Sequence, residues 1–542
     1  MKKYALKPII ASILSLIFLL TLWSCAQRGR PDGGPKDKEP PQFLSSKPAN
    51  YSINYNDESV IIKFDEFVQL NNPRQQIIVS PPLADKPVIT PSSTPSKEFT
   101  IEMPRDSLLD NTTYTINFGT SIEDYNEANV FPYFKYVFST GPILDSLKLS
   151  GRVFDAKQRL PEDNISVVLY QLDSTYSDST VFQSPPTYIA YTDSTSAFTI
   201  ENIKAGSYKL FAIKDKNANY TFESDTDKIG FLTDTIQIPT QKTYDLIVFK
   251  DFIPVEVNRP KQISRLQLEF GYKGQPESPE IKLISKLDDS INFQSRILKH
   301  PEKDTLQYWY KPYIDKDSLL FTFKNAGQLI DTLEINPKQI ELDSLRLSQS
   351  PSSAIGFFEA LKLRANTPIS AIDTSKISVL SQDSTKINFS SRLKSAENTL
   401  ELNFEKVEKT SYNINLLPGA ITDFYEETND TISYRVSTAS YADFGNLELS
   451  VDGIITFPVI GELVDQDGKL IKSLYNTNSN TFNFRYISPG TYYFRLIYDT
   501  NKNGVWDSGN YLESKQPEVV LYEPKPFEIR AFFDYVQRIS LK

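Results

Sequence analysis

An all-β fold, built from tandem β-sandwich domains in an elongated array, follows from three features of the sequence. Nearly every periodic stretch alternates apolar and polar residues with period two, as in "SVIIKFDEF" from Ser59, "TYTINFG" from Thr113, "SYKLFAIKD" from Ser207 and "TYYFRLIYD" from Thr491. Val, Ile, Thr, Tyr and Phe occupy these runs, as a half-buried pleated face requires. The chain has 542 residues, too many for one hydrophobic core. Finally, two different strand-rich units recur in the same order. Helical spacing is weak, for example over 356–364, and nowhere sets the architecture.

The first element, residues 1–24, reads as a signal peptide. Lys2, Lys3 and Lys7 precede an apolar run from Ile9 to Leu22, which is short for a bilayer span and lacks a stop-transfer flank. Leu22-Trp23-Ser24-Cys25 resembles a bacterial lipobox, and the resemblance implies that Cys25 becomes the acylated first residue of the mature chain. Cys25 is also the only cysteine, so no internal disulfide can form. Several acyl chains would hold the protein on a membrane where one would be marginal. No later segment reaches the apolar length of a spanning helix. Loss of Lys2, Lys3 and Lys7 takes the net charge from −10 to −13, which disfavours nucleic acid as a partner.

Residues 25–39, rich in Gly, Pro and charge, predict a flexible tether. Gly33 to Asp37 with Pro40 and Pro41 resembles the start of a group of Bacteroidota lipoproteins. That resemblance implies lipid anchoring in the outer membrane and leaves open the periplasmic or cell-surface face.

The repeats set the remaining boundaries. The stretch from Tyr114, "YTINFGTSIEDYNEANVFPYFKYVFST", matches the one from Tyr412, "YNINLLPGAITDFYEETNDTISYRVST", with one residue inserted. The stretch from Ala197, "AFTIENIKAGSYKLFAIKDKNANYTFE", matches the one from Thr481, "TFNFRYISPGTYYFRLIYDTNKNGVWD", without a gap. Domains are therefore expected at 40–142, 143–251, 346–440 and 441–542, with a β-sandwich of unclear type at 252–345. The unit at 40–142 and 346–440 resembles the bacterial Ig-like domain of the S-layer-protein type. The unit at 143–251 and 441–542, with "LSGRVFD" at Leu149 to Asp155 and "FTIENIKAGSY" at Phe198 to Tyr208, resembles the transthyretin-like regulatory domain of some carboxypeptidases. Both resemblances imply spacers, scaffolds and binding modules, and fold alone does not settle function.

One loop invites a chemical reading. Asp499, Asn501, Asn503 and Asp507 alternate oxygen donors around Gly504, as a chain wrapping Ca²⁺ would. The first copy offers Asp215, Asn217, Asn219 and Glu223, with Tyr220 in place of the glycine. Loop position twelve holds Asn510 or Thr226 where an EF-hand needs Glu, so an EF-hand is excluded. The competing reading is an Asx-rich turn that hydrogen-bonds its own backbone. Trp506 and Phe222, at matching positions, are expected to plug the loop onto its sandwich.

Catalytic signals are poor. His300 is the only histidine, which leaves Ser/His and Cys/His catalysis without a triad, and no HExxH, Walker or nucleotide-binding pattern occurs. Asp507-Ser508-Gly509 resembles an aspartic-protease signature, but its counterpart Glu223-Ser224-Asp225 does not supply a matched dyad. No catalytic residue is assigned. The run "YWYKPY" at Tyr308 to Tyr313 offers a surface for stacking sugar or a set of core rings. Recurrent Asp-Ser/Thr-apolar or Asp-Ser/Thr-Thr tripeptides, at Asp173, Asp193 and Asp383 among others, resemble the Bacteroidota O-glycosylation sequon, which implies O-linked glycans on exposed loops. The expected function is a lipid-anchored, non-catalytic scaffold or interaction protein of the outer membrane, as an accessory subunit of a protein-assembly or secretion complex. A surface glycan-binding lipoprotein is the alternative.

Overall fold

The computed structural model describes residues 37–83, 87–158 and 164–541, so the leader, Cys25 and most of the tether lie outside the described residues. Two compact units divide at Ser146 and Leu147.

Unit 1 is a two-sheet sandwich. Phe43–Lys47, Ser59–Leu70, Ser96–Glu102 and Val88–Thr90 lie side by side in that order, and Ile122–Asp124 pairs with the far end of Ser59–Leu70. Ile78–Ser80, Thr113–Asn117 and Lys135–Ser139 form the facing sheet. Period-two alternation sends Val60, Ile62, Phe64 and Val68 of the long strand inward, against Tyr114, Ile116, Tyr136 and Phe138. Polar pins fix the ends. The Tyr114 hydroxyl accepts the Leu109 N–H at 2.8 Å, and Thr140 Oγ1 accepts the Thr112 N–H at 2.9 Å while donating to the Leu109 carbonyl. Asp124, in the "IED" turn, accepts the N–H groups of Glu127, Ala128 and Asn129.

Unit 2 contains a second sandwich of this design over 346–440. Leu347–Ser350, Leu361–Ala365, Thr399–Phe404 and Phe389–Lys394 form one sheet; Lys386–Ile387, Ile377–Ser381, Ser411–Leu416 and Ile432–Ser437 form the other. The pins recur: the Tyr412 hydroxyl accepts the Val407 N–H, Thr438 Oγ1 accepts the Thr410 N–H, and Asp423 accepts the Tyr425 and Glu427 N–H groups. Over 356–364, where helical spacing was weak, the chain makes a turn and enters the strand Leu361–Ala365.

The other repeated unit is equally plain in the topology. In 147–251 the order Ala197–Ile203, Leu147–Asp155, Thr243–Val248 faces Tyr188–Tyr191, Ser166–Gln171, Gly206–Lys214, Lys228–Phe231. In 441–542 the order Thr481–Ile487, Gly445–Asp452, Asp534–Ser540 faces Leu470–Asn476, Val459–Val464, Gly490–Tyr498, Val520–Tyr522. In each copy the last strand pairs with the first in parallel. "GNLELSVD" thus fills the place of "LKLSGRVFD", though it lacks the glycine-centred pattern. In the first copy Gly151 is obligatory, because a Cβ there would lie 1.8 Å from the Tyr244 carbonyl oxygen. Residues 252–345 form a further sandwich, with Glu256–Val257, Gln267–Lys273, Thr305–Lys311 and Gln294–Lys299 opposite Pro279–Leu283, Leu319–Asn325 and Gln328–Ile335.

The sandwiches follow one another in tandem, but those of unit 2 do not extend away from each other. Each meets the next: Lys273 pairs with Asp225, the Tyr425 hydroxyl donates to the Leu266 carbonyl at 3.0 Å, and Phe357 packs on Tyr441 and Tyr486. The fourth then returns to the first through the contacts described below, so unit 2 is a closed circuit of four sandwiches.

Candidate functional site: paired Asp/Asn loops and an aromatic clasp

The structure brings each set of predicted donors together. In the C-terminal loop, Asn501 Nδ2 and Asn503 Nδ2 both donate to Asp507 Oδ2, each at 2.7 Å. Asp499 accepts the backbone N–H groups of Asn503 and Gly504. The first copy repeats this: Asn217 Nδ2 and Asn219 Nδ2 donate to the two oxygens of Glu223 at 2.6 and 2.9 Å, and Asp215 accepts the Asn217 and Tyr220 N–H groups. Tyr220 and Gly504 share the left-handed conformation, at φ 64° and 80°. Tyrosine therefore adopts the turn that glycine adopts more readily in the other copy. Burial is the main force on the Asp215 carboxyl and pushes its pKa up, against the opposing pull of backbone N–H groups from Tyr220, Asn219 and Ala218.

Two acids that sequence reasoning missed complete these loops. Buried Asp227 accepts the Lys216 N–H at one oxygen and the Glu223 N–H at the other. Glu518 does the same for the Thr500 and Asp507 N–H groups. Each carboxylate thereby ties the two ends of its loop. A shared motif with an acid beyond it was the available signal, but twelve residues separate Asp215 from Asp227 and nineteen separate Asp499 from Glu518, so alignment does not pair them.

The donor set suits a hard cation in kind, yet the arrangement is that of a self-bonded turn. The Asn501, Asn503 and Asn219 carboxamide oxygens accept backbone N–H groups two residues on, and their nitrogens face the carboxylate. Among the described residues no group of three or more His, Cys, Asp or Glu side chains is placed to hold a metal ion.

The longer C-terminal loop has a second task. Its extra residues carry Tyr511, which enters the sandwich of 147–251. The Tyr511 ring lies 5.2 Å from Phe231, 5.4 Å from Phe211 and 5.9 Å from Phe182, centroid to centroid. Its hydroxyl donates to the Asp178 carbonyl at 2.9 Å, and its N–H donates to Asp251 Oδ1 at 2.8 Å. Ser508 donates to the Lys250 carbonyl, and Gly509 passes so close to Phe249 that a Cβ would meet its ring at 2.5 Å. Asp507-Ser508-Gly509 is thus a docking segment, not half of a carboxylate dyad.

A second anchor lies alongside. Arg495 is buried, donates through Nε to Glu462 at 2.6 Å, and through Nη1 reaches the Lys157 carbonyl at 3.1 Å and the Tyr522 hydroxyl at 3.0 Å. Tyr522 donates to the same Lys157 carbonyl. The Lys157 ammonium sits 5.0 Å over the Trp506 ring, whose Nε1 donates to the Glu518 carbonyl. Trp506 therefore both braces its loop and grips the neighbouring sandwich. Phe222, its counterpart, is buried beside Phe182.

Other expected features resolve simply. Tyr308, Trp309 and Tyr310 are all about 1% exposed and present no stacking surface: Tyr308 and Tyr310 pack the core of their sandwich, and Trp309, on the other strand face, packs against Tyr425 of the next one. His300 Nδ1 accepts the Glu302 N–H in a turn. Asp173, Asp193 and Asp383 accept N–H groups of Thr175, Thr195 and Thr385, leaving Ser174, Ser194 and Ser384 exposed between them.

Comparison with known protein families agrees with the fold of unit 1. Residues 37–140 match the family of bacterial Ig-like domains. Among solved structures, the chain is similar to the S-layer protein rSbsC, at 12% identity over 86% of this chain, with a TM-score of 0.15. It spans 66% of that protein's length. BcpA, the major pilin subunit of Bacillus cereus, is 9% identical over 73% of this chain and 99% of its own, with a TM-score of 0.14. A mixed-linkage glucan locus protein, SGBP-B of Bacteroides ovatus, is 10% identical over 63% of this chain and 85% of its own, with a TM-score of 0.19. No curated protein matches the sequence. Among the described residues no helix is long and apolar enough to cross a membrane.

Proposed function

We propose that this chain is a non-catalytic scaffold, anchored by acylated Cys25 to the outer membrane, whose sandwiches present loops and strand edges to an outer-membrane protein of an assembly or secretion complex. The observation that carries this reading is the Tyr511 clasp. The residues most suggestive of chemistry, from Asp499 to Tyr511, are spent on holding two sandwiches in fixed register. Scaffolds need such fixed geometry, because a partner meets a preformed surface at lower entropic cost than a string of loose domains. The exposed hydroxyls of Ser174, Ser194 and Ser384 provide attachment points for O-linked glycans.

The test is recovery of the tagged protein from gently solubilised outer membranes, with Cys25→Ala as control. A β-barrel or secretion component recovered in stoichiometric amount, and lost with the anchor, is expected. Recovery of the protein alone would refute the scaffold reading.

A further inference from the structure

One end of the 441–542 sandwich carries a cluster of aromatic rings that the first copies of the repeated units lack. The ring of Phe357, in the turn before Leu361–Ala365, lies 4.3 Å from Tyr441, 5.1 Å from Tyr486 and 6.1 Å from Phe444, centroid to centroid. Phe358 lies 5.5 Å from Tyr486. The Phe532 N–H donates to the Phe444 carbonyl at 2.8 Å, which brings Phe532 and Phe533 to the same end. Phe357 and Tyr486 are half-buried in the joint with the 346–440 sandwich. Phe358, Phe532, Phe533 and Tyr441 are 77%, 82%, 55% and 42% exposed.

The fold does not require these rings. The Ile355 N–H donates to the Ser437 carbonyl as the Tyr55 N–H does to that of Ser139, so Phe357 and Phe358 stand where unit 1 has Asp57 and Glu58. Tyr486 aligns with Asn202, and both are left-handed, at φ 54° and 58°. Asparagine takes that conformation readily, and a bulky ring does not. Ile238 and Ile529 pair with the equivalent Gly206 and Gly490. The matching residues of the next strand, Thr243 and Val536, follow five positions later in the first copy and seven in the second. That longer connection holds Phe532 and Phe533, and Phe532 is itself left-handed, at φ 64°. Backbone strain at two aromatic positions of one exposed patch points to a task beyond folding.

We propose that this patch is the contact through which two copies of the chain pair about a two-fold axis. Continuity argues for a second copy as the occupant. The patch extends an interface the chain already makes, in which rings of the 346–440 sandwich pack on rings of the 441–542 sandwich, and two copies face to face offer each other more of the same rings. Charge argues likewise. Arg485 and Arg530 lie beside these rings in sequence, as do Glu359 and Asp443, and all four are exposed. A two-fold axis through a rim of both signs sets opposite charges against each other. The chain as a whole is acidic, at −10, so an uncharged patch is where two copies meet with least repulsion. Covering the four exposed rings removes roughly 500 Å² per copy, at about 200 Å² for a whole aromatic side chain. That area places the dimer at the small, weakly bound end of specific interfaces. Pairing of this kind goes beyond the scaffold reading and does not depend on a membrane partner.

The test is sedimentation equilibrium of the full chain in a Cys25→Ser background, at concentrations up to about 100 μM. A reversible monomer–dimer equilibrium is expected, weakened about tenfold or more by Phe358→Ser/Phe532→Ser. Both positions are exposed enough for the double variant to keep the fold. Ile455→Ser, at a residue 82% exposed beyond the opposite end of Gly445–Asp452, is expected to leave the dimer unchanged. A monomer at every concentration would overturn the proposal. So would a dimer that the double variant leaves intact, or one that Ile455→Ser weakens equally. A chain that stays monomeric but floats with phosphatidylethanolamine vesicles, and loses this in the double variant, would overturn it in favour of a membrane surface as the occupant.

Discussion

The Tyr511 ring of the C-terminal sandwich meets the Phe231 ring of the sandwich that begins at Leu147 edge to face, with centroids 5.2 Å apart and planes at 68°. These residues are 280 positions apart in sequence, and their contact closes unit 2. Edge-to-face geometry of this kind adds to the gain from burying the ring.

Tyr511→Ala is predicted to lose about 3–5 kcal/mol of coupling between the two sandwiches, the scale of a large aromatic truncation. Tyr511→Phe should lose only about 1 kcal/mol, for the hydroxyl's bond to the Asp178 carbonyl. Urea unfolding read by fluorescence, with Trp506 reporting on the joint, is expected to split into separate transitions in the alanine variant and stay cooperative in the phenylalanine variant.

The clasp is also predicted to respond to pH through Asp251. Burial pushes its pKa up, more strongly than the Tyr511 and Phe252 N–H groups pull it down. A carboxyl raised in the folded state contributes stability that is fully present below its unfolded value, about 3.9, and is lost as pH rises through its folded value. Asp251→Asn keeps an acceptor for the Tyr511 N–H without the buried charge. It should flatten this part of the pH profile and leave the clasp no weaker at pH 7, as measured by hydrogen exchange of the Tyr511 amide.

Breaking the buried Arg495–Glu462 pair should be costly. Arg495→Ala strands a buried carboxylate and releases the Lys157 carbonyl, a loss of about 3–5 kcal/mol. Replacing both members with Met and Leu should cost less than either single alanine change, because no unpaired charge is left inside. A double-mutant cycle by chemical denaturation measures the difference.

Much of this molecule is legible in its sequence. Period-two runs such as Ser59–Leu70 are strands because one face buries Val60, Ile62 and Phe64, and the paired Tyr114 and Tyr412 stretches fold alike down to their hydroxyl bonds. The Asp/Asn loops were visible as repeats, and their donors do converge. Asp227, Glu518 and Tyr511 were not visible as partners. Spacing differs between the copies for the first two, and Tyr511 acts on residues more than 250 positions away. Local alternation carries no information about which sandwich a loop will meet. The "YWYKPY" run left both readings open for a related reason, since an aromatic strand reads the same whether its rings face a sugar or the protein interior.

The loops make their own prediction. Because the carboxamides already donate to Asp507 or Glu223, and the backbone is held by Glu518 or Asp227, added calcium is expected to leave thermal stability unchanged. Asp507→Ala should lower it by about 1–3 kcal/mol, since two amide donors lose their acceptor. Calorimetry with and without millimolar calcium distinguishes this from an ion site, for which stability would rise with the metal.

The closed circuit of unit 2 is tested most directly by a spin-label distance between exposed Ser174 and Glu513, each replaced by Cys in a Cys25→Ser background. One narrow, short distance in wild type, broadened and lengthened by Tyr511→Ala, is predicted. A broad, long distribution in both proteins would contradict the clasp and the fixed scaffold built on it.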